Sequence, residues 1–316
     1  WFYLTMDERI KNKLMNLNIA LLKKQFGKSL IVNENLSKYS WFNLGGPADI
    51  FFRPENKDHL IAFLNKVKKN DYQVYVLGAG SNTLIRDSGV KGVVIKLGSK
   101  FSEIKLLEEN IIEVGAATFD KKVADFAQNN HISGMEFLSC IPGSVGGAII
   151  MNSGCYGSNI SEILESIKVI DDKGNEKEIK SSEIKFYYRD TSLPKNYIIL
   201  SAKLKGRVSS KKLIAKKQEE LIQKKKESQP SKIKTGGSTF KNSKDKKAWL
   251  LIKESGCDKF YEGGASISEK HCNFFINNGK AKASDIEKLI NKVKKEVKTK
   301  TGVSLQLEIK IIGNEK

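Results

Sequence analysis

One stretch, from Gly134 to Gly157, limits the possible folds of this chain most strongly; it reads GMEFLSCIPGSVGGAIIMNSGCYG. Five glycines lie between Gly134 and Gly154, and Glu136 is the only charged side chain, although Asp, Glu, Lys and Arg make up 29% of the chain. Glycine permits positive φ angles and lets another group approach the backbone closely. The stretch therefore predicts either backbone wrapped against a large ligand or a tightly packed, turn-rich part of the core.

The composition indicates an ordered globular protein of two or three domains. The chain has 316 residues, of which 40% are hydrophobic and only five are proline. No segment approaches the roughly 20 apolar residues that cross a bilayer, so we expect no membrane insertion. The four cysteines lack the spacing of a zinc site, which favours a reduced, cytoplasmic protein without a structural metal.

The net charge of +19 comes from 55 Lys and Arg against 36 Asp and Glu. Most of the excess is lysine, spread along helix positions that face solvent, without interleaved aromatic residues or an arginine-rich tract. This pattern favours a solvated basic surface that steers small anions over a nucleic-acid-binding protein.

Periodicity predicts an α/β or α+β body up to about residue 206, followed by a second unit. Helices are predicted at 6–26, 57–69, 119–130, 211–226, 247–254 and 284–298. Strands are predicted at 50–53, 73–77, 93–97, 110–114, 167–171, 197–205 and 304–312. In the last strand, polar and apolar residues alternate, and this pattern turns Glu308 toward solvent. Ser284 and Glu287 predict a capping box for the last helix.

The loop Gly78-Ala79-Gly80-Ser81-Asn82-Thr83 follows a predicted strand. A strand that ends in such small residues exposes consecutive backbone N–H groups, which can form a nest for phosphate. Thr83 occupies the place of the third glycine of a Rossmann fingerprint, and no Gly-Lys-Ser/Thr follows, so neither nucleotide motif is present. An ordinary β-turn explains this loop equally well.

Three polar positions are candidates for chemistry. Arg189 stands out in a lysine-rich chain because a guanidinium binds a carboxylate or phosphate bidentately, although a structural pair with Asp190 is the alternative. Ser238 lies in a Gly-Gly-Ser turn without a nucleophile elbow, so it is either a turn residue or a proton donor. His271 favours a structural hydrogen-bonding role.

Seven stretches, in order along about residues 37–312, resemble the UDP-N-acetylenolpyruvoylglucosamine reductase family. They are Trp41–Asp49, Gly78–Ile85, Ile141–Ala148, Tyr188–Asp190, Gly237–Asn242, Gly263–Ala265 with Ser268–His271, and the closing strand. Their order makes the resemblance specific, whereas any one loop is weak.

The resemblance implies an α+β protein. An FAD-binding region of the vanillyl-alcohol-oxidase type would cover residues 37–206, in two subdomains at about 37–98 and 99–206. Residues 1–36 would form a helical N-terminal extension. Residues 207–316 would form an α+β substrate-binding domain whose last strand returns Glu308 to the active site.

The resemblance also implies the chemistry: an oxidoreductase of peptidoglycan precursor synthesis, and thereby of cell shape and division. NADPH would deliver hydride to FAD, which would pass it to UDP-N-acetyl-3-O-(1-carboxyvinyl)-glucosamine. Arg189 and Glu308 would polarise the substrate carboxylate, Ser238 would donate the proton, and Tyr188 and Asn242 would bind substrate. The residues implied for FAD are Gly78, Ala79, Gly80, Ser81, Asn82, Gly143, Ser144, Gly146 and Gly147.

The chain departs from the family pattern at Cys140, where glycine is usual, and at Ser243 and Lys310, where proline and arginine are usual. It resembles the shorter family type, which lacks an inserted tyrosine-bearing loop, and we expect a monomer. Two other hypotheses remain: a different FAD-dependent oxidoreductase of the same fold, and a non-catalytic basic binding protein.

Overall fold

The structure is a computed structural model that describes residues 18–68, 72–171, 173–243 and 245–315. The predicted helix at 6–26 lies partly outside these residues, and its described part, residues 18–26, is helical (α1). Leu22 and Phe26 are buried there, and the Phe26 ring packs edge-on against Phe52 at 5.5 Å between centroids. The end of α1 therefore docks on the body of the protein.

The first unit is a small sheet with a helix on one face. Its elements are β1 (Leu30–Asn35), β2 (Pro47–Phe52), α2 (Lys57–Lys68), β3 (Val74–Val76), β4 (Thr83–Ile85) and β5 (Val90–Ile95). The strand order is β1-β2-β5-β3, with β1 antiparallel to β2 and the other neighbours parallel. Phe52 stacks on Phe63 of α2 at 3.7 Å, so the apolar face of the helix is buried against the sheet.

The second unit is built on a five-stranded antiparallel sheet, ordered β12-β11-β15-β7-β6. Its elements are β6 (Ile104–Glu108), β7 (Ile111–Gly115), α3 (Asp120–Asn129), β8 (Ile132–Ser133), α4 (Val145–Ile150), β9 (Gly154–Cys155), β10 (Ser158–Asn159), β11 (Leu164–Ile170), β12 (Glu176–Lys180), β13 (Phe186–Tyr187), β14 (Asp190–Thr191), β15 (Ile198–Lys205) and β16 (Arg207–Val208). Helices α3 and α4 contribute to the core of this unit, and the glycine-rich stretch runs through it. The stretch thus belongs to a packed core and also borders the site described below.

The third unit is a four-stranded antiparallel sheet, ordered β17-β20-β19-β18. Helix α5 (Lys211–Ser228) precedes this sheet in the chain but packs on the second unit, where Leu221 belongs to the core. The elements of the third unit are β17 (Lys234–Ser238), α6 (Ala248–Glu254), β18 (Tyr261–Glu262), β19 (Ala265–Ile267), β20 (Phe274–Asn277), α7 (Ala283–Thr301) and β21 (Lys310–Ile312). β21 leaves this unit and pairs in parallel with β4 of the first unit. The chain terminus therefore ties the third unit to the first.

Two local predictions were wrong. The predicted strand at 304–312 is a strand only over Lys310–Ile312, because Leu307 forms an isolated bridge with Phe240 instead of joining a ladder. The predicted Ser284–Glu287 capping box is absent: the Lys282 N–H bonds Asp285, and the Ala283 and Ser284 N–H groups bond Asp87. A carboxylate from the first unit therefore caps α7.

None of the helices in the described ranges combines the length and apolar character that a bilayer crossing requires.

Candidate active site

The two glycine-rich loops predicted to hold a cofactor face each other. The loop Gly78–Asn82 follows β3, and a Cβ placed on Gly78 would lie 2.8 Å from the Ser144 hydroxyl oxygen. Ser144 precedes α4 and forms an isolated antiparallel bridge with Phe119. Because these segments are far apart in the sequence, only the fold makes them the two sides of one site.

Gly80 meets both conditions that restrict a position to glycine. Its φ angle is +73°, and a Cβ there would overlap the carbonyl oxygen of Tyr39. The Gly80 carbonyl also accepts a hydrogen bond from Trp41 N–H at 3.0 Å. The Tyr39–Trp41 turn thus fixes one side of the loop.

Lys96 supplies a cation to this loop. Its ammonium donates a 2.6 Å hydrogen bond to the Gly78 carbonyl and lies 5.8 Å from the centre of the Tyr39 ring. Burial lowers the pKa of Lys96, and Arg53 lowers it further. A partly desolvated positive charge beside a nest of N–H groups favours a diphosphate.

Buried polar atoms without partners lie behind the second loop. The hydroxyl of Thr118 and both carboxyl oxygens of Asp120 are inaccessible and make no hydrogen bond within the described residues. Thr118 O accepts from Val145 N–H, and Asp120 N–H donates to Gly143 O at 3.1 Å. The loop lined by these residues carries little charge, so the two loops together fit a large cofactor with a diphosphate, held largely by backbone.

Asp120 makes stability depend on pH. Burial raises the pKa of Asp120 in the folded state well above its ordinary value. The protonated carboxyl group therefore contributes its full share to the free energy of unfolding below about pH 4, the pKa of the unfolded state. That contribution is lost as the pH rises through the folded-state pKa. Asp120→Asn should therefore leave unfolding near pH 4 little changed and increase the free energy of unfolding at pH 8 by about 1–3 kcal/mol. Urea unfolding of the FAD-free protein at both values measures this.

Asp125→Asn is the matched control, because Asp125 lies on the same helix and is exposed. Its stability difference from the parent should be small at both pH values. Parallel pH profiles for Asp120→Asn and the parent protein would contradict the assignment.

Arg189 and Glu308 form an ion pair across the site. Arg189 Nε donates to Glu308 Oε1 at 2.8 Å, and its Nη2 donates to the Gly154 carbonyl at 2.9 Å. The guanidinium lies 4.9 Å from the Tyr188 ring centre, and Arg189 itself has a left-handed φ of +59°. Sparsely populated backbone angles of this kind cluster at functional sites. The alternative Arg189–Asp190 pair is not what the structure contains.

The expectation from alternation that Glu308 faces solvent was wrong. Its side chain is only 15% exposed, and burial raises its pKa although Arg189 and Lys241 oppose the shift. The Glu308 N–H donates to Thr239 O at 2.9 Å, and its carbonyl accepts from the Asn82 side chain at 3.1 Å. The backbone of Glu308 is therefore held by both the loop Gly78–Asn82 and the segment after Ser238.

Ser238 ends β17 immediately before Thr239, so it lies next to the anchor of Glu308. Its side chain is partly buried, and its hydroxyl makes no hydrogen bond within the described part of the chain. Asn273 holds the following segment, because its side chain bonds both Phe240 N–H and Phe240 O. His271 accepts from Asn273 N–H at 3.3 Å, which agrees with the structural role expected of it.

Tyr188 and Asn242 also meet in the structure. The Asn242 amide donates to the Tyr188 hydroxyl at 3.3 Å, and Lys241 donates to the Tyr188 carbonyl at 3.4 Å. The Asn242 side-chain oxygen Oδ1 accepts a hydrogen bond from Ala248 N–H, and this bond fixes the orientation of the side-chain amide. These groups are exposed and lie beside the Arg189–Glu308 pair.

Sequence reasoning missed Lys96, Lys241, Thr118 and Asp120. The two lysines carry no distinguishing signal among 55 Lys and Arg, because only their neighbours in space separate them from surface lysines. Asp120 offered at most a weak signal. An acidic residue in the first turn of a helix is normally exposed, so its burial here could be known only from the structure.

The fold and the paired loops define a class, the FAD-binding proteins: residues 48–180 match the family model described as "FAD binding domain". Residues 229–312 match "UDP-N-acetylenolpyruvoylglucosamine reductase, C-terminal domain". The chain belongs to the UDP-N-acetylenolpyruvoylglucosamine reductase family. Its α+β fold and FAD-binding region are those expected from the resemblance.

Relatives match along nearly their whole lengths. The reductase of Pelagibacter ubique is 47% identical, over 93% of this chain and 98% of that protein. The reductase of a Wolbachia from Drosophila simulans is 45% identical, over 88% of this chain and 94% of that protein. The crystal structure of the reductase (MurB) from Thermus caldophilus has a TM-score of 0.77 at 31% identity, covering 89% of this chain and 97% of that one.

Proposed function

We propose that this chain reduces UDP-N-acetyl-3-O-(1-carboxyvinyl)-glucosamine to UDP-N-acetylmuramate with NADPH, as an FAD-containing oxidoreductase of peptidoglycan precursor synthesis. The observation that supports this best is the Arg189–Glu308 ion pair. The Glu308 backbone bonds both Thr239, the residue after Ser238, and Asn82 of the loop Gly78–Asn82. Two electrons and one proton leave NADPH as hydride. Addition of this hydride and of a second proton converts the carbon–carbon double bond of the enolpyruvyl group to a single bond. When bound between the two loops, FAD would supply the hydride-transfer chemistry that links NADPH to the vinyl carbon furthest from the carboxylate.

The cofactor would lie between the two loops. Backbone N–H groups of Gly78, Ala79, Gly80, Ser81 and Asn82 would hold the diphosphate, assisted by the charge of Lys96. Gly143, Ser144, Gly146 and Gly147 would line the other side. The neutral character of this second loop suits an aromatic ring system held by contact with backbone.

Gly80→Ala should abolish stable FAD binding, because the added methyl group meets the Tyr39 carbonyl and the φ angle is positive. We expect a loss of at least about 100-fold in affinity, which corresponds to about 3 kcal/mol of strain and clash. Quenching of FAD fluorescence on titration with the FAD-free protein measures it.

Gly98→Ala is the control, since a Cβ at Gly98 meets nothing within 4 Å. If Gly80→Ala bound FAD as tightly as Gly98→Ala, the loop would not be the diphosphate site.

Hydride addition to the vinyl group builds negative charge toward the substrate carboxylate. Arg189 would stabilise that charge from a fixed position, because Glu308 and the Gly154 carbonyl orient its guanidinium. The raised pKa of Glu308 keeps a larger fraction of it protonated than an ordinary glutamate, and the protonated form can donate a hydrogen bond to the same carboxylate.

Ser238 would deliver the proton to the carbon next to the carboxylate. Ser238 is partly buried and precedes Thr239, whose carbonyl anchors the Glu308 N–H. Its hydroxyl makes no hydrogen bond among the residues that the structure describes, so it is available to a ligand without breaking a bond. Serine is a weak acid, but the carbon it protonates is strongly basic. Tyr188 and Asn242 would bind the substrate at the exposed edge of the site.

The remaining assignments, of domains, location and oligomeric state, follow from the same proposed function. The helical extension expected at 1–36 ends before β1, because β1 (Leu30–Asn35) pairs with β2 in the sheet of the first unit. We propose that the FAD-binding region expected at 37–206 begins with this strand. We also propose that residues 207–316, whose first helix α5 packs on the second unit, carry the substrate-binding domain. We also propose a cytoplasmic monomer that binds no nucleic acid.

The decisive assay is NADPH oxidation by the FAD-loaded protein with and without the enolpyruvyl sugar nucleotide. Substrate-dependent turnover yielding UDP-N-acetylmuramate is expected. A protein that takes up FAD but shows no substrate-dependent turnover would contradict the reaction and leave the cofactor assignment intact.

A further inference from the structure

Two of the four cysteines, Cys140 and Cys155, meet beside the candidate active site. Cys140 ends a 3-10 turn over Glu136–Cys140, and Cys155 lies on β9, which packs on that turn. The Cys155 thiol donates to Phe137 O at 3.5 Å, one 3-10 turn before Cys140. The two thiols are neighbours, because each is the largest influence on the pKa of the other.

The surroundings favour ionisation of Cys140. The neighbouring Cys155 side chain lowers the pKa of Cys140 to about 6 against the effect of burial, with smaller contributions from Ser139 and Lys225. Lys225 is held there by its 2.8 Å hydrogen bond to the Cys140 carbonyl. A thiolate beside a lysine and a second thiol is the arrangement found in reactive cysteine pairs.

The other two cysteines differ. The Cys257 thiol donates to Ser255 O at 3.7 Å, and the Cys272 thiol donates to Trp249 O at 3.1 Å. Burial raises the pKa of both thiols, so they remain protonated and inert. They serve as internal controls.

Cys155 is connected directly to the chemistry. The residue before it, Gly154, provides the carbonyl that accepts from Arg189 Nη2 at 2.9 Å. A change at Cys155 therefore acts on the backbone that orients the guanidinium.

We propose that Cys140 and Cys155 form an oxidisable dithiol whose disulfide displaces the Gly154 carbonyl and thereby the Arg189 side chain. With hydrogen peroxide, the Cys140 thiolate attacks one oxygen and becomes a sulfenic acid as hydroxide leaves. The Cys155 sulfur then attacks that sulfur, and water leaves. Both sulfurs are oxidised by one electron each, and one peroxide is reduced to two waters.

The disulfide changes local geometry because its sulfurs must approach to about 2.05 Å and the Cys155 bond to Phe137 O is lost. The consequence for Arg189 rests on the proposed function: KM for the enolpyruvyl sugar nucleotide should rise at least about threefold. Reduction of bound FAD by NADPH, which does not use Arg189 in this scheme, should keep its rate.

The test treats the FAD-loaded protein with hydrogen peroxide and counts thiols. We expect two of four thiols to be lost, the intact mass to fall by about 2 Da and the fragments containing Cys140 and Cys155 to be joined after proteolysis, all reversed by dithiothreitol. Cys155→Ser and, independently, Cys140→Ser should abolish the cross-link, whereas Cys272→Ser should retain it.

Two results would overturn the proposal. The dithiol is refuted if the wild-type protein gains oxygen without forming the cross-link, or if the cross-link joins another pair. An unchanged KM in the fully cross-linked protein refutes the link to Arg189. The thiol and mass measurements require no turnover, so failure of the proposed reaction is distinguished from failure of the dithiol.

Discussion

Arg189→Lys is expected to lower kcat/KM for the enolpyruvyl sugar nucleotide by about 100-fold. Lysine retains the charge but cannot bond Glu308 and the Gly154 carbonyl at once while presenting a planar face to the substrate carboxylate. The loss of one or two charge-assisted hydrogen bonds costs about 3 kcal/mol, which corresponds to this factor. Steady-state kinetics with varied substrate at saturating NADPH measures it.

Arg207→Lys provides the comparison, because Arg207 is exposed on β16 and lies outside the candidate site. Its kinetics should match the parent protein. If Arg189→Lys behaved like Arg207→Lys, the substrate carboxylate would have to bind elsewhere.

Ser238→Ala is expected to separate the two half-reactions. Reduction of bound FAD by NADPH should proceed at the parent rate, whereas consumption of the enolpyruvyl substrate should slow by about 100- to 10,000-fold, the usual contribution of a general acid. Removing a hydroxyl that makes no hydrogen bond to any residue the structure describes should leave folding unaffected. Stopped-flow absorbance of the flavin, which differs between its oxidised and reduced forms, follows each step.

Ser231→Ala is the control, since Ser231 is an exposed serine in the segment before β17. Equal slowing of both half-reactions in Ser238→Ala would assign Ser238 to FAD binding or folding instead of proton transfer.

Local patterns were sufficient for the long helices. The spacing of apolar residues predicted α7 to within a few residues of Ala283–Thr301. Helix α5, predicted at 211–226, is also present, and Ser210 caps it by accepting from Leu213 N–H. The glycine loops were also found as candidate ligand backbone, although the residues alone left a packed turn as an equal alternative.

Contacts between distant residues escaped the same reasoning. Asp87 caps α7 from about 200 residues away in the chain, and a local capping box was predicted in its place. Glu308 was assigned to solvent because alternation assumes a regular strand. Its backbone N–H instead donates to the Thr239 carbonyl, and its backbone carbonyl accepts from the Asn82 side chain.

The sequence by itself determined the long helices, the two glycine loops and, through ordered motifs, the family and its chemical residue types. Glycine positions and apolar spacing act over a few residues, so they can be read locally. The tertiary structure decided which groups meet: Gly78 with Ser144, Arg189 with Glu308, and Cys140 with Cys155. These contacts set burial and charge, and therefore the pKa of Glu308, because desolvation depends on everything packed around a group and not on its neighbours in the chain.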